Sequence, residues 1–252
     1  MNNVERHQYI LKQIERNGHV SVVDLCDSLK VSSVTIRKDL QFLEDAGILF
    51  RTHGGATNVN PYQKDRPINE KANIHADVKQ RIGREAAKMV EPNDSIIIAS
   101  GTTMQYFAKE IHPQGALTVI TSAINVTLEL IKHEHVDIIQ LGGPVRRTSS
   151  SIIGSYAEDL LSDFFCSKVF IGVDGIDFDF GITTTNAHEA LLNRKMMNSA
   201  HKTIVLADSS KFDRKSLGKI SDLSKIDMII SDNIPLKYQQ LFDNLGIEYK
   251  IC

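Results

Sequence analysis

Two sets of residues in this sequence have the types and spacing to do chemistry. The larger is a series of short polar loops, each placed after an apolar, β-branched run. Ser100-Gly101-Thr102-Thr103 follows the run 95–99, Thr121-Ser122 follows 117–121, and Gly142-Gly143 follows 136–141. Gly172-Val173-Asp174-Gly175 follows 168–172, and Asp208-Ser209-Ser210-Lys211 follows 203–207. The chemistry they suggest is anion binding. Ser100–Thr103 opens a predicted helix, which offers two threonine hydroxyls and free backbone N–H groups at a positive helix end. Each loop alone is explained as a turn, because Ser, Gly and Asp make turns. Five together favour one shared site. The smaller set is Ser32, Ser33, Thr35, Arg37 and Lys38. Arginine can make a bidentate contact to guanine, the hydroxyls can bond bases or phosphates, and a lysine neutralises a phosphate.

The second set needs a helix to present it. Val4, Ile10, Leu11 and Ile14 recur at helical spacing and Asn17-Gly18 supplies a stop, so a first helix is predicted over 3–16. Ser21, with Asp24 three residues on, caps a second helix that ends near Lys30. After Val31, Ser32 or Ser33 caps a third, in which Ile36, Leu40 and Leu43 form the apolar stripe and Gly47 the stop. Ser33, Thr35, Arg37 and Lys38 lie off that stripe. Asp39, Glu44 and Asp45 fall further along. Two short helices around a tight turn make a helix-turn-helix, whose second helix enters the major groove. The alternative is a solvated charged helix. A predicted strand over 48–51 and a glycine-permitted reversal at Thr52-His53-Gly54-Gly55-Ala56 argue against it, since they add a wing. Arg51, His53 and Gly54 join the expected DNA-contacting set.

VSSVTIRKDLQFLEDAG followed by RTHGGA resembles the DNA-binding domain of the DeoR family of bacterial repressors. The family usually has two arginines where this chain has Arg37-Lys38. Lysine keeps the charge but loses the planar fork, so the resemblance implies base recognition for Arg37 and phosphate contact for Lys38.

From Thr57 to about His75 the chain has two prolines and no apolar period, so 58–75 is expected to be a linker between a domain at 1–57 and one at 76–252. In the latter, helical stretches near 77–90, 104–111, 124–132, 188–200 and 235–245 alternate with the runs above and with 227–231 and 247–251. Continuous apolar runs between helices predict a mostly parallel sheet covered on both faces, with ligands bound beyond the strand C-termini. SGTT, LGG, GVDGI, HEALLNRKM and DSSKF, in that order, resemble the DeoR effector domain, whose fold is shared with ribose-5-phosphate isomerase. Within the family the similarity is greatest to the branch that represses N-acetylgalactosamine catabolism. The resemblance implies that Ser100, Gly101, Thr102 and Thr103 hold a phosphate with help from Lys211, and that Glu189 and Asp174 face the sugar. Arg146 or Arg147 would close over the anion, with Thr121, Ser122, Gly142 and Gly143 completing the site. Two departures bear on which sugar binds. Ala99 stands where relatives have Asp, and Ser122-Ala123 where they commonly have paired asparagines.

The chain has 252 residues and a formal net charge of -2, and residues 1–57 hold seven Lys or Arg against seven Asp or Glu. Any basic surface must come from local placement. No stretch of spanning length and no signal peptide is evident, so a cytoplasmic protein is expected. Cys26, Cys166 and Cys252 are far apart, which predicts free thiols and neither a disulfide framework nor a zinc site. No cofactor is expected.

The function that emerges is a carbohydrate-operon repressor, the expected partners being operator DNA, a phosphorylated sugar and further copies of itself as a dimer or tetramer. A phosphosugar isomerase or deaminase is the alternative, with Glu189 as base and Lys211 as polarising cation. A DNA-bound architectural protein with a vestigial sensor is the third reading.

Overall fold

The computed structural model describes residues 2–52, 54–58 and 67–252. The chain divides into two compact units, Met1–Lys64 and Asp65–Cys252.

In the first unit α1 (Asn3–Asn17), β1 (His19–Ser21), α2 (Val22–Leu29) and α3 (Ser33–Asp45) are followed by β2 (Phe50–Thr52) and β3 (Gly55–Thr57). Asn2 and Glu5 form a capping box on α1. The Ser21 and Ser32 hydroxyls accept from the backbone N–H groups of Asp24 and Thr35 at 3.0 and 3.2 Å, which starts α2 and α3. The apolar stripes meet as one core of Ile10, Ile14, Leu25, Ile36, Leu40 and Leu43, closed by Leu49 and Ala56. The wing strand begins later than the expected 48–51, because Ile48 N–H still bonds Leu43 O at 3.0 Å in the turn that caps the C-terminus of α3. The wing is a three-stranded sheet in the order β1-β3-β2, with β1 not foreseen. Gly55 is required there: an added Cβ would lie 1.9 Å from Val20 O across the β1–β3 pairing.

In the second unit α4 (Ile68–Asn73), α5 (Ala76–Ala87), β4 (Ser95–Ile98), α6 (Thr102–Glu110), β5 (Leu117–Thr121), α7 (Ile124–Leu130) and β6 (Val136–Gln140) come first. Next are β7 (Val145–Arg146), β8 (Ser151–Ile152), α8 (Ser155–Leu161), β9 (Cys166–Gly172), β10 (Gly175–Asp177), β11 (Gly181–Thr184) and α9 (Ala187–Asn198). The unit ends with β12 (Ala200–Leu206), β13 (Gly218–Ser221), β14 (Met228–Ser231), α10 (Leu236–Leu245) and β15 (Glu248–Ile251).

Seven strands form one parallel sheet in the order β15-β14-β12-β9-β4-β5-β6. Alternate side chains of one strand enter different cores: Ile96 and Ile98 pack with Ile82, Phe107 and Val126 from α5, α6 and α7, while Ile97 packs with Leu161, Met196 and Phe242 from α8, α9 and α10. Burial on both faces is why an inner strand such as β4 reads as an apolar run. From β4 the chain steps one way to β5 and β6, and from β9 the other way to β12, β14 and β15. The switch point therefore lies between β4 and β9 at their C-terminal ends, where such sheets leave a crevice. A small sheet, β10-β11-β13, and the hairpin β7-β8 stand beyond the predicted elements.

One expectation is corrected. The supposed linker 58–75 contains α4, which belongs to the second unit: Ile68 is buried and its N–H bonds Thr148 O at 2.7 Å. A six-residue helix with one buried side chain has no apolar period to detect. Residues 59–66 of that span lie outside the described residues. The three cysteines are free.

Candidate functional site

On the first unit, α3 presents Ser33, Arg37 and Lys38 to solvent, with Thr35 half-buried beside them. The Ser32 hydroxyl is occupied as the helix cap and lies 3.0 Å from the Thr35 hydroxyl. The acidic residues of α3 are tied up elsewhere. Asp39 is buried and receives Arg6 Nε at 2.5 Å, Arg6 Nη2 at 2.8 Å and His7 Nε2 at 3.0 Å. Burial works to raise the Asp39 carboxyl, but the Arg6 and His7 hydrogen bonds and charges outweigh it and hold it below its ordinary value. Glu44 accepts from Arg51 N–H at 3.0 Å and Asp45 accepts from Gln41 Nε2 at 2.8 Å. The exposed early face of α3 is thus cationic although the unit's summed charge is near zero. Arg51 reaches back to donate to Gln41 Oε1. Gly54 is exposed and its carbonyl accepts from Val22 N–H at 2.7 Å, anchoring the wing to α2. His53 lies outside the described residues.

On the second unit the Ser100–Thr103 loop follows β4 and Asp174 follows β9, at the two sides of the switch point. Gly101 opens α6 at φ 130°, a backbone that favours glycine, and no side chain caps the helix. Thr102 and Thr103 are each 7% exposed, and neither hydroxyl has a hydrogen-bond partner among the described residues. A Cβ built on Gly172, at the end of β9, would meet Ser100 O at 3.4 Å, so the two loops touch.

A continuous polar network leads on from Asp174. Its Oδ2 accepts from the Thr184 hydroxyl at 3.1 Å, Thr185 N–H at 3.1 Å and the Thr185 hydroxyl at 3.2 Å. Lys71 Nζ donates to its Oδ1 at 3.3 Å. Thr184 also lies 3.4 Å from Glu189 Oε2, and Glu189 Oε1 accepts from Arg146 Nη1 at 2.9 Å and the Ser151 hydroxyl at 3.3 Å. Glu189 is positioned by the cap of α9, where its N–H bonds Asn186 Oδ1 at 3.1 Å. Burial works to raise the Asp174 carboxyl. The charges of Lys71 and Lys211 and the bonds from Thr185 and Lys71 overcome this and hold it at about 2. Lys211 forms no hydrogen bond or ion pair among the described residues. It follows Asp208, whose buried carboxylate accepts from Ser210 N–H at 3.1 Å.

The other predicted positions behave differently. The Thr121 hydroxyl donates to Ile98 O at 2.6 Å and accepts from Ala123 N–H at 3.0 Å, so here it holds the β5–α7 turn. Ser122 is buried, and Gly142 and Gly143 are exposed in the turn before β7. Arg147 is exposed.

Sequence reading missed Lys71 and Lys79. Lys79 on α5 is buried, and its ammonium donates to Lys71 O and Ile74 O at 2.6 Å each, satisfying carbonyls at the end of α4. Burial pushes it down to about 8, with Asp208 opposing and Lys211 and Lys71 adding to the fall. A separate recess lined by His112, Lys132, His133 and His135 lies at the N-terminal edge of the sheet, away from this network. Among the described residues no group of three or more His, Cys, Asp or Glu is arranged to hold a metal ion, and no helix is long and apolar enough to cross a membrane.

Comparison with known proteins gives two family matches that follow each other along the chain. Residues 6–61 match the DeoR-like helix-turn-helix domain, and residues 74–233 match the DeoR C terminal sensor domain. A putative aga operon transcriptional repressor from Escherichia coli O157:H7 is 37% identical over 97% of this chain and 92% of its own length. The HTH-type transcriptional repressor GlcR of Bacillus subtilis is 33% identical over 97% of this chain and 94% of its own. The glycerol-3-phosphate regulon repressor of Escherichia coli K12 is 27% identical over 100% of both. Among solved structures, ribose 5-phosphate isomerase A from Methanocaldococcus jannaschii aligns over 56% of each chain, with a TM-score of 0.42 and 16% identity.

Proposed function

The chain belongs to the DeoR family, and we propose on that premise that it is a sequence-specific repressor of a carbohydrate catabolic operon, released from its operator by a phosphorylated sugar. One observation carries the sensing half of the reading. At the β4/β9 switch point, two unpartnered threonine hydroxyls at an uncapped helix start stand in the same unit as the Lys71–Asp174 and Arg146–Glu189 pairs and Lys211. The first group suits a phosphate and the carboxylates suit sugar hydroxyls. In this reading Ser100–Thr103 and Lys211 take the phosphate, and Asp174, Glu189 and Arg146 take the sugar. Thr121 supports the site through its turn. Ser32, Ser33, Thr35, Arg37, Lys38, Arg51, His53 and Gly54 form the DNA face, with Arg37 as base reader.

Binding rather than turnover is the better account of Glu189. An isomerase or deaminase needs a base free to take a proton. Glu189 Oε1 is already engaged as an acceptor, by Arg146 Nη1 and the Ser151 hydroxyl. A single helix-turn-helix reads few base pairs, so the repressor acts as a homo-oligomer, a dimer or tetramer, on the cytoplasmic chromosome. An amino-sugar phosphate is the effector class that the branch resemblance favours.

The test is an operator fragment selected from a random duplex pool, titrated with protein while a panel of hexose and amino-sugar phosphates is added. Release by at least one member, with no turnover of it, is expected. Turnover without any effect on DNA binding would replace this reading with the enzymatic one.

A further inference from the structure

The element that sequence reading assigned to a linker reaches into the effector site. The first unit ends at Lys64, and α4 begins at Ile68 as the first helix of the second. Six residues of helix are too few to be stable alone. What holds α4 is a short set of contacts: Ile68 N–H to Thr148 O at 2.7 Å, Tyr106 hydroxyl to Ala72 O at 3.4 Å, and Lys79 on the carbonyls at its end. Thr148 is two residues from Arg146, and Tyr106 is on α6, the helix that opens at Gly101-Thr102. One anchor thus lies two residues from Arg146 and the other on the helix that follows the Ser100–Thr103 loop.

The polar side chain that α4 sends toward Asp174 is Lys71. Asp174 Oδ2 is saturated by Thr184 and Thr185, whereas Oδ1 has Lys71 as its partner among the described residues, at a long 3.3 Å. The two side chains remain 29% and 21% exposed, so the pair is weakly held and open to exchange. Lys71, Lys79 and Lys211 all act on the same surroundings, and Lys211 has no ion pair of its own among the described residues. A dianion entering such a site gains more from an ammonium than a carboxylate monoanion does, since it has more charge and more acceptor oxygens.

Resting on the effector reading above, we propose that Lys71 is an effector-binding residue and α4 the coupling element. A sugar hydroxyl replaces Lys71 on Asp174 Oδ1 while the phosphate draws the ammonium to itself, and α4 shifts with it. α4 is the first described helix after the DNA-binding unit, and its shift is the event coupled to operator release. Lys71 thereby makes different contacts in the empty and filled states, which any coupling of two sites requires.

The experiment uses the full chain and the same selected operator. Wild type, Lys71→Ala, Lys71→Arg and Lys211→Ala are each titrated with N-acetylgalactosamine 6-phosphate, glucosamine 6-phosphate, fructose 1-phosphate and inorganic phosphate. Ligand affinity is read by calorimetry and operator release at saturating ligand by anisotropy. Lys71→Ala should bind the best ligand about tenfold more weakly, the loss expected for one charge-assisted contact. It should also release operator incompletely at saturation. Lys71→Arg should restore part of both. Lys211→Ala should weaken ligand binding yet release fully once saturated. Unchanged affinity in Lys71→Ala, weaker affinity with full release, or equal loss of release in Lys211→Ala would each overturn the proposal while leaving the effector reading intact. Wild type that binds operator but none of these ligands would overturn both.

Discussion

Arg6 of α1 grips Asp39 of α3 at two points, Nε to Oδ2 at 2.5 Å and Nη2 to Oδ1 at 2.8 Å, with both side chains 8% exposed. The contact joins the first helix to the DNA-facing helix and removes a carboxylate from the surface that would meet phosphates. Breaking a buried pair by deleting one partner leaves the other charge stranded, at a cost of about 3–5 kcal/mol. Arg6→Ala should therefore destabilise the first unit by that order and lower operator affinity as a consequence. Chemical denaturation of the full chain followed by a probe in α3 checks it. A loss below about 1 kcal/mol would mean that the pair behaves as a surface ion pair.

Arg37 and Lys38 are adjacent and exposed on α3, yet their expected losses differ in kind. Arg37→Ala should lose about 1–3 kcal/mol at the selected operator and relax the preference at one position. Lys38→Ala should weaken binding to every duplex and reduce the salt slope by about one. Binding measured from low to high salt on operator and scrambled DNA separates the two. Identical profiles for both variants would remove the division of labour.

Much of this architecture was legible in the sequence for a physical reason. A strand buried on both faces must be apolar at every position, so runs such as Ile96-Ile97-Ile98 announce themselves, and all seven strands of the main sheet lie on predicted runs. The polar loops at their C-termini were visible as the same pattern repeated. The elements missed are those whose burial is too sparse to make a period. α4 buries Ile68 alone, and α8 buries Ala157 and Leu161. Pairings across long separations were equally invisible: Lys71 and Asp174 are 103 residues apart, and Arg6 and Asp39 are 33 apart. No local rule selects Lys71 from among the chain's other lysines, and only folding brings it to the site.

Asp174 and Lys79 both make the second unit more stable as pH rises, in two separate windows. Asp174 sits at about 2, below its ordinary 3.8. Its contribution is complete above 3.8 and is lost as pH falls through about 2, a loss of order 2 kcal/mol. Lys79 sits at about 8 against an ordinary 10.5, so its charged form is disfavoured by burial at neutral pH. That penalty is relieved as pH rises from 8 toward 10.5. Urea denaturation across pH should show Asp174→Asn flattening the acid limb and Lys79→Met flattening the rise above pH 8. A Lys79→Met curve parallel to wild type between pH 8 and 9.5 would refute the lysine assignment.

The Thr102 and Thr103 hydroxyls offer the cleanest separation of folding from sensing, because they have no hydrogen-bond partner among the described residues although each residue is only 7% exposed. Replacing a hydroxyl that has no protein partner by a methyl of the same shape is close to neutral for stability. Thr102→Val with Thr103→Val should therefore melt within a degree or two of wild type, by the usual conversion of a few tenths of a kcal/mol. Ligand binding should suffer instead, since each hydroxyl would donate a charge-assisted bond to the phosphate, worth about 1.5–3 kcal/mol. Operator affinity without ligand should be unchanged, and the cellular phenotype is a repressor that cannot be induced. Linkage adds a reciprocal demand on wild type: the factor by which ligand lowers operator affinity must equal the factor by which operator lowers ligand affinity. Both arms can be read from one matrix of titrations, with operator and sugar phosphate varied together. If the double variant responds to ligand at the wild-type concentration, the Ser100–Thr103 loop is only a turn between β4 and α6, and the phosphate binds elsewhere.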